Sequence, residues 1–263
     1  MSLPIPAPPI PLTDLIRTPG YAARVMALID QIHRAPDACA LVELLHQATT
    51  ALGADCGAYV HAIPEDDSRG AARTALRVLL ACDPLWAYAY TRDRPLDSDP
   101  WFRYARGHFE PVLASDLSRR GSMTSHGLAL AERSGCRSGL IVPTQCGGGI
   151  GRFGVLCLGS ALDGNFEADG THLFRVLAHS LSNELHGWWM NETRTHLMQA
   201  SRLSRADLEL LALERQGLVT KQIARTLGVS AAAVNSRFQR INVKLTSPNR
   251  RVSAMRAAAH GLL

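Results

Sequence analysis

Lysine is the rarest amino acid in this 263-residue sequence. The chain has only two lysines, Lys221 and Lys244, and both lie near its C-terminal end. A phospho-acceptor receiver domain needs a lysine beside its acceptor aspartate, and a P-loop ATPase needs the lysine of its Walker motif. Since no lysine precedes residue 221, the sequence argues against both kinds of domain upstream of that position.

Long apolar runs are also missing. No run approaches the roughly 20 residues that a membrane-spanning helix needs. The N-terminus lacks the basic and long apolar regions of a signal peptide, and its many prolines predict an extended, poorly ordered tail over residues 1–18. We therefore expect a cytoplasmic protein that does not bind membranes.

Catalytic and metal-binding motifs are absent as well. The six cysteines include no C-x-x-C pair and several stand in apolar runs, which favours reduced, mostly buried thiols over disulfides or a metal site. His172, His179 and His186 recur every seven residues; neighbours on a helix would lie ~10 Å apart, too far to share an ion, so we expect a solvated face. There is no Gly-x-Ser-x-Gly nucleophile motif. We expect no enzyme activity, no metal site and no cofactor.

Charge is distributed unevenly along the chain. Residues 203–263 carry ten Lys or Arg against three Asp or Glu, a net of +7, whereas residues 1–202 carry 18 against 20, a net of −2. A small basic segment on a nearly neutral larger one indicates binding to a polyanion.

Hydrophobic periodicity predicts an α+β fold: an N-terminal α-β-α sandwich with a five-stranded antiparallel sheet, then a C-terminal four-helix bundle. The predicted helices are 21–33, 38–53, 84–93, 99–107, 125–135 and 167–190. The predicted strands are 56–64, 74–82, 111–115, 138–145 and 151–159, the last two joined by a Gly-rich hairpin turn. The predicted segments are the tail 1–18, a large N-terminal domain 19–190, a linker 191–202 and a basic domain 203–263.

One predicted helix has a regular apolar stripe. Five residues of 167–190 share one helical face: Leu173, Leu177, Leu181, Leu185 and Trp188. Such a stripe belongs either to the core of the domain or to a dimer seam, and the pattern alone leaves both open.

The basic domain contains a helix-turn-helix pattern. A helix over Thr220–Leu227 is followed by Gly228, which suits the left-handed turn that ends it, and by Ser230, a natural cap for the next helix. The first helix and its turn are expected to pack against the second through Ile223, Ala224, Leu227, Val229, Val234 and Phe238. The second helix then turns Asn235, Ser236, Gln239 and Arg240 outward, as a recognition helix does in a DNA major groove.

The same segment resembles the LuxR-type (GerE-like) DNA-binding domain along its whole length. The resemblance rests on Leu203, Ser204, Leu211, Gly217, Lys221–Ala224, Leu227–Ser230, Val234, Lys244–Leu245, Asn249–Arg250 and Gly261–Leu262, with Asp207 where the family has Glu. It implies base contacts by Asn235, Ser236 and Gln239. It also implies phosphate contacts by Thr220, Lys221, Arg237, Arg240, Lys244 and Arg250.

Residues 86–159 resemble the acyl-homoserine-lactone-binding domain of LuxR quorum-sensing regulators. Trp86, Tyr90 and Asp99-Pro100 reproduce the spacing W-x3-Y-x8-D-P, and Gly139 and Pro143 fit Gly-x-x-x-Pro. The resemblance implies that the indole N–H donates to a lactone carbonyl, the Tyr hydroxyl donates to the acyl carbonyl, and Asp99 accepts from the ligand amide. Without a ligand, the same Asp99 would cap the helix that begins at Pro100.

The sequence also departs from that family pattern around the predicted pocket. Ala114 stands where an aromatic residue is expected, Cys82 replaces a common Tyr, and Cys157 replaces a small hydroxyl residue. The bulky Trp101 and Phe102 follow Asp99-Pro100, where smaller residues are usual. We hypothesise that the Trp101 ring fills the space left at position 114; the alternative is that it points outward, to the surface or to a dimer contact.

These features together predict a quorum-sensing transcriptional regulator of the LuxR type. We expect it to respond to an acyl-homoserine lactone or related small signal, and to bind an inverted repeat in double-stranded DNA as a homodimer, with RNA polymerase as a further candidate partner. The alternative is an orphan regulator that needs no ligand or that acts as an anti-activator through mixed dimers.

Overall fold

The computed structural model describes residues 10–66, 72–82, 99–119, 135–145 and 152–263. The predicted helices 84–93 and 125–135 lie wholly or almost wholly outside these ranges, as does the Gly-rich turn between the last two strands. Within the described residues, no helix is both long and apolar enough to cross a membrane.

Three helices open the described chain: α1 (Leu12–Arg17), α2 (Tyr21–Ile32) and α3 (Ala38–Leu52). The last two confirm the predicted helices 21–33 and 38–53. Helix α1 lies in the segment that we expected to be an extended tail. The expectation was wrong for these residues, because a residue distant in sequence anchors the helix. The buried Leu12 donates its backbone N–H to the Asn165 side-chain oxygen at 2.9 Å.

Five strands form one sheet: β1 (Cys56–Asp66), β2 (Ala72–Ala81), β3 (Val112–Leu113), β4 (Ser138–Gln145) and β5 (Phe153–Ser160). Their order is β2-β1-β5-β4-β3, and β4 pairs antiparallel with both β5 and β3. The five-stranded antiparallel sheet is thus confirmed. The predicted strand 111–115 stops at Leu113, because helix α5 (Ala114–Arg119) begins at the next residue.

Helices cover β4 on both faces. On one face, the Thr144 hydroxyl lies 2.6 Å from that of Ser182, which donates to the Val142 carbonyl from helix α6 (His172–Ser201). On the other face, the Gln145 side chain donates to the Ala105 carbonyl in helix α4 (Pro100–Gly107) at 2.9 Å. Since successive strand residues point to opposite faces, Gly139, Ile141, Pro143 and Gln145 face α4 and α5.

Helix α6 is longer than the predicted 167–190 and continues through the segment expected to be a linker. Leu177, Leu181, Leu185 and Trp188 are buried, so this part of the apolar stripe belongs to the protein core, whereas Leu173 is exposed.

The prediction of a solvated histidine face was wrong for one member of the series. His186 is buried, and its Nδ1 lies 3.2 Å from the Tyr59 hydroxyl. Its ring also lies 5.0 Å from that of His61, which is fully buried. The buried face of α6 is wider than the leucine stripe, because it includes polar residues such as Ser182, which bonds to β4.

Four helices form the C-terminal bundle: α7 (Arg205–Arg215), α8 (Thr220–Leu227), α9 (Ala231–Lys244) and α10 (Arg250–Ala259). Its buried core comprises Leu203, Leu210, Leu211, Ile223, Ala224, Val234, Phe238, Ile241, Leu245, Ala254 and Ala257. Leu197 and Met198, near the end of α6, pack against this core. Val229 is exposed instead of packed, because the turn that follows Gly228 carries it to the surface.

Candidate ligand site and DNA-binding surface

Asp99 begins helix α4. One of its carboxylate oxygens accepts hydrogen bonds from the backbone N–H groups of Trp101, at 2.7 Å, and Phe102, at 3.3 Å. Pro100 occupies the first helical position, where its missing N–H costs nothing. The capping role considered for this residue is therefore present. A carboxylate has a second oxygen, so capping by one oxygen does not preclude acceptance from a ligand by the other.

The two aromatic residues after Asp99-Pro100 are both buried. Trp101 is 7% exposed, so the alternative in which its ring points to the surface is wrong. The Phe102 ring meets the Phe153 ring edge to face at 6.0 Å, and Phe153 belongs to β5. Helix α4 thus covers the sheet with aromatic side chains.

Ala114 packs against a strand that has no side chain at the contact. A Cβ atom added to Gly139 would lie 3.0 Å from the Ala114 Cβ. Gly139 lies on β4 opposite Gly159 of β5, so neither strand carries a Cβ at this pair. The small residues let α5 approach the sheet closely.

Cys157 is the one residue of β5 that is half-buried, while the other seven are buried. It pairs with Ile141 and therefore faces α4 and α5. Burial raises the pKa of its thiol above the ordinary range, and the negative charges of Asp99 and Cys82 raise it further. Of the predicted site residues, Asp99 and Cys82 therefore lie close enough to Cys157 to act on its thiol electrostatically. Trp86 and Tyr90 lie outside the described residues.

The recognition helix α9 presents a polar surface. Ser230 caps it by accepting from the Ala233 N–H at 3.1 Å, and Gly228 ends α8 with φ +66°, both as predicted. The side chains of Asn235, Ser236, Gln239, Arg240 and, on α8, Lys221 are exposed.

Asp207 joins α7 to the recognition helix. It and Ser204 form a capping box, in which each side chain accepts from the other's backbone N–H at 3.0–3.1 Å. Its carboxylate also binds Arg237 at 3.1 Å and Lys244 at 2.8 Å. Burial alone would raise the pKa of this carboxyl, but the hydrogen bonds from Lys244, Ser204 and Arg237 outweigh it and hold the pKa well below its usual range.

A further ion pair joins α10 to α7 within the bundle. Arg250 lies 3.2 Å from the Glu214 carboxylate and donates to the Thr220 hydroxyl at 2.8 Å. Its guanidinium also lies 5.6 Å from the centre of the Phe238 ring. Four of the residues expected to contact phosphates, Arg237, Lys244, Arg250 and Thr220, are therefore engaged within the bundle.

Sequence analysis did not single out Glu214, and it interpreted Arg237 and Lys244 as phosphate contacts instead of partners of Asp207. Residue spacing gives no signal for them, because the pairs join residues 30 to 37 positions apart. The helical angle of Arg237, between the exposed Asn235 and the buried Phe238, was the only available indication that it faces the bundle.

Comparison with known proteins gives two family matches. Residues 37–187 match the autoinducer binding domain, and residues 201–257 match the GerE domain of bacterial regulatory proteins of the luxR family. The transcriptional activator proteins AhyR of Aeromonas hydrophila and AsaR of Aeromonas salmonicida are each 24% identical over 257 residues, which covers 91% of this chain and 92% of theirs.

Solved structures show the same fold. SdiA in complex with octanoyl-rac-glycerol superposes with a TM-score of 0.69 at 18% identity, over 93% of this chain and 97% of that one. The N-acylhomoserine-lactone-dependent factor CepR2 from Burkholderia cenocepacia gives 0.53 at 22% identity, over 66% of this chain and 97% of that one. This chain belongs to the LuxR family: it is a quorum-sensing transcriptional regulator with an autoinducer-binding domain and a helix-turn-helix DNA-binding domain.

Proposed function

We propose that the sensor domain binds an acyl compound with a polar head group, an acyl-homoserine lactone or a close analogue, on the α4 side of β4 and β5. Two proteins of the same fold support this class of ligand: SdiA is known with octanoyl-rac-glycerol, and CepR2 depends on an N-acylhomoserine lactone. In this proposal Asp99, Trp86 and Tyr90 hold the head group, while Trp101, Phe102, Ala114, Cys82 and Cys157 surround the acyl chain.

The observation that carries the proposal is the neighbourhood of Cys157. Strand β5 lies at the centre of the sheet, yet residue 157 is only half-buried where the other residues of the strand are buried. The Asp99 carboxylate is close enough to raise the pKa of the Cys157 thiol. A hydrogen-bond acceptor beside a mostly apolar surface that is not completely covered suits a ligand with a polar end and an apolar body.

The DNA-binding half of the proposal rests on exposed side chains. Asn235, Ser236 and Gln239 have the amide and hydroxyl groups that hydrogen-bond to base edges, and amides favour adenine. We propose that two copies of the chain form a dimer whose recognition helices contact an inverted repeat with half-sites about one helical turn apart. Lys221 and Arg240 are exposed and suit phosphate contacts. If the chain is an activator, RNA polymerase is its expected protein partner.

A second candidate is an orphan regulator that folds and binds DNA without a signal. The burial of Trp101 favours it if the indole ring fills volume that a ligand would need, as hypothesised from the sequence. The two candidates differ in one measurable property, the effect of an added acyl compound on the stability of the purified chain.

The test uses the full chain purified without signal. N-octanoyl-homoserine lactone and octanoyl-glycerol are titrated separately, and thermal unfolding and DNA binding are followed. A signal that binds the folded state raises the unfolding temperature, by mass action. An unchanged temperature at millimolar concentrations of either compound, with DNA binding intact, would favour the orphan.

Asp99→Asn sharpens this test. Asn caps a helix nearly as well as Asp, but it weakens the hydrogen bond from a ligand amide, so we expect a loss of about 1.5–3 kcal/mol in ligand affinity with little change in unfolding. Asp37→Asn is the matched control, because Asp37 caps α3 by accepting from the Ala40 N–H. Equal ligand affinity in the two variants would mean that Asp99 only caps its helix.

A further inference from the structure

Two cysteines that are far apart in sequence meet at one edge of the sensor fold. The sulfur atoms of Cys56, the first residue of β1, and Cys136, two residues before β4, are 3.0 Å apart. Both residues are half-buried, so small reagents can reach them. We propose that Cys56 and Cys136 are a redox-active pair that forms a reversible disulfide when the protein meets a peroxide.

The surroundings hold the two thiols together. Both sulfurs lie above Gly159 of β5, where any Cβ would overlap them. The backbone on either side is fixed, because Arg137 donates its N–H to the Ser160 carbonyl at 2.7 Å and Asp55 donates its N–H to the Gly159 carbonyl at 2.9 Å. A disulfide has an S–S distance of about 2.05 Å, so the sulfurs need to approach by roughly 1 Å.

The pair is chemically asymmetric. The hydrogen bond with Cys56 lowers the pKa of the Cys136 thiol, although burial and the Asp55 charge oppose this. The same hydrogen bond, with burial and the negative charges of Cys136, Cys82 and Asp55, raises the pKa of Cys56. The thiolate is the nucleophile, so in the proposed reaction Cys136 is oxidised by peroxide and Cys56 is the resolving thiol, a division that single serine variants test.

The reaction proceeds in two balanced steps. The Cys136 thiolate attacks one oxygen of hydrogen peroxide, the O–O bond breaks, and the departing hydroxide takes up a proton to form water, leaving a sulfenic acid. The Cys56 sulfur then attacks that sulfur; the S–S bond forms, the S–O bond breaks, and the hydroxyl leaves as water with the Cys56 proton. Two thiols lose two electrons to one peroxide, and a dithiol restores them by exchange.

The location of the bond gives it a structural effect. It closes the segment from residue 56 to residue 136, which contains Asp99, helices α4 and α5 and most candidate ligand residues. A cross-link restricts the unfolded chain more than the folded one. Oxidation therefore stabilises this segment whether or not a signal is bound.

The test starts with the reduced full chain and one equivalent of hydrogen peroxide. We expect the thiol count in denaturant to fall by two per chain, and a linked Cys56–Cys136 peptide that is lighter by two hydrogen atoms and separates on reduction. The unfolding temperature should rise by roughly 3–8 °C and return with dithiothreitol. Because these readouts use the unmodified chain, they do not depend on whether a variant folds.

Two serine variants assign the roles, in a background carrying Cys39→Ser because Cys39 is exposed and can cross-link chains. In Cys56→Ser, Cys136 should accumulate as a sulfenic acid that dimedone traps; in Cys136→Ser, Cys56 should remain a thiol. The proposal is overturned if both cysteines stay reduced after Cys39 of the unmodified chain is fully oxidised, if Cys56 pairs with another cysteine, or if oxidation lowers the unfolding temperature.

Discussion

The candidate ligand residues lie inside the molecule, whereas the candidate base-contacting residues lie outside it. Trp101, Phe102 and Ala114 are buried between helices and sheet, while Asn235 and Gln239 are exposed on the recognition helix. A buried side chain contributes packing as well as any ligand contact, so its substitution changes stability and function together. An exposed side chain can be changed at the cost of binding alone. The contacts of Asp207 with Arg237 and Lys244 combine both cases, because a buried carboxylate binds side chains that reach the surface.

The largest expected effect is in the sensor domain. Trp101→Ala should cost about 3–5 kcal/mol of unfolding free energy, and Ala114→Trp about 1–3 kcal/mol by overpacking. If the Trp101 ring occupies the space beside position 114, the double variant recovers part of the loss, and urea unfolding measures the coupling. Strictly additive losses would show that the two sites do not share a space.

Asp207→Ala should cost roughly 3 kcal/mol, because it removes the capping box and leaves Arg237 and Lys244 without their common carboxylate. Urea unfolding of the full chain measures the change in the C-terminal bundle. Glu209→Ala, on the exposed face of the same helix, is the control and should stay within ~0.5 kcal/mol of the unmodified chain. If both variants behaved alike, the network would contribute little to stability.

Acid should remove the same stabilisation. The pKa of Asp207 is lowered in the folded state, so its contribution is complete well above the unfolded value of about 3.9 and is lost as the pH falls below that value. Urea unfolding at pH 6 and pH 3 should therefore show a smaller loss for Asp207→Asn than for the unmodified chain. A parallel loss in both would assign the acid sensitivity to other carboxyls.

Gln239→Ala should cost about 1–3 kcal/mol of discrimination between the operator and altered sequences, because it removes a proposed base contact. Its free energy of unfolding should be unchanged, since the side chain is exposed. Binding to operator and mutated operators, measured at one salt concentration, gives the discrimination. Retained specificity would place the base contacts elsewhere on α9.

The smallest expected effect is on DNA affinity, and it should distinguish Lys221 from Lys244. Lys221→Ala should weaken binding to all DNA sequences and reduce the salt dependence by about one phosphate contact. Lys244 donates to Asp207 and to the Arg202 carbonyl, so Lys244→Ala should chiefly lower stability. Binding at several salt concentrations distinguishes them. A reduced salt slope for Lys244→Ala would restore the phosphate contact expected from the family resemblance.

Local sequence signals predicted the elements that depend on local chemistry. The periodicity of α2, α3 and α4, the cap at Ser230 and the turn at Gly228 need only neighbouring residues to form. Both family resemblances were confirmed for the same reason, because they rest on fixed spacings along the chain.

The features that were missed depend on residues distant in sequence. Helix α1 is held by Asn165, 153 residues away, and His186 is buried because Tyr59, 127 residues away, supplies a hydrogen-bond partner. The Cys56–Cys136 pair likewise joins residues 80 positions apart. Composition and periodicity describe one segment at a time, so they contain no information on such contacts.

The close contact between Gly139 and Ala114 also constrains how this sensor can evolve. Any side chain added at position 139 crowds position 114, so it would add to the overpacking expected from an enlarged residue at 114. Glycine at position 139 of β4 should therefore precede any larger residue at position 114. A mutational library that seeks new signal preferences should vary position 114 and leave position 139 unchanged.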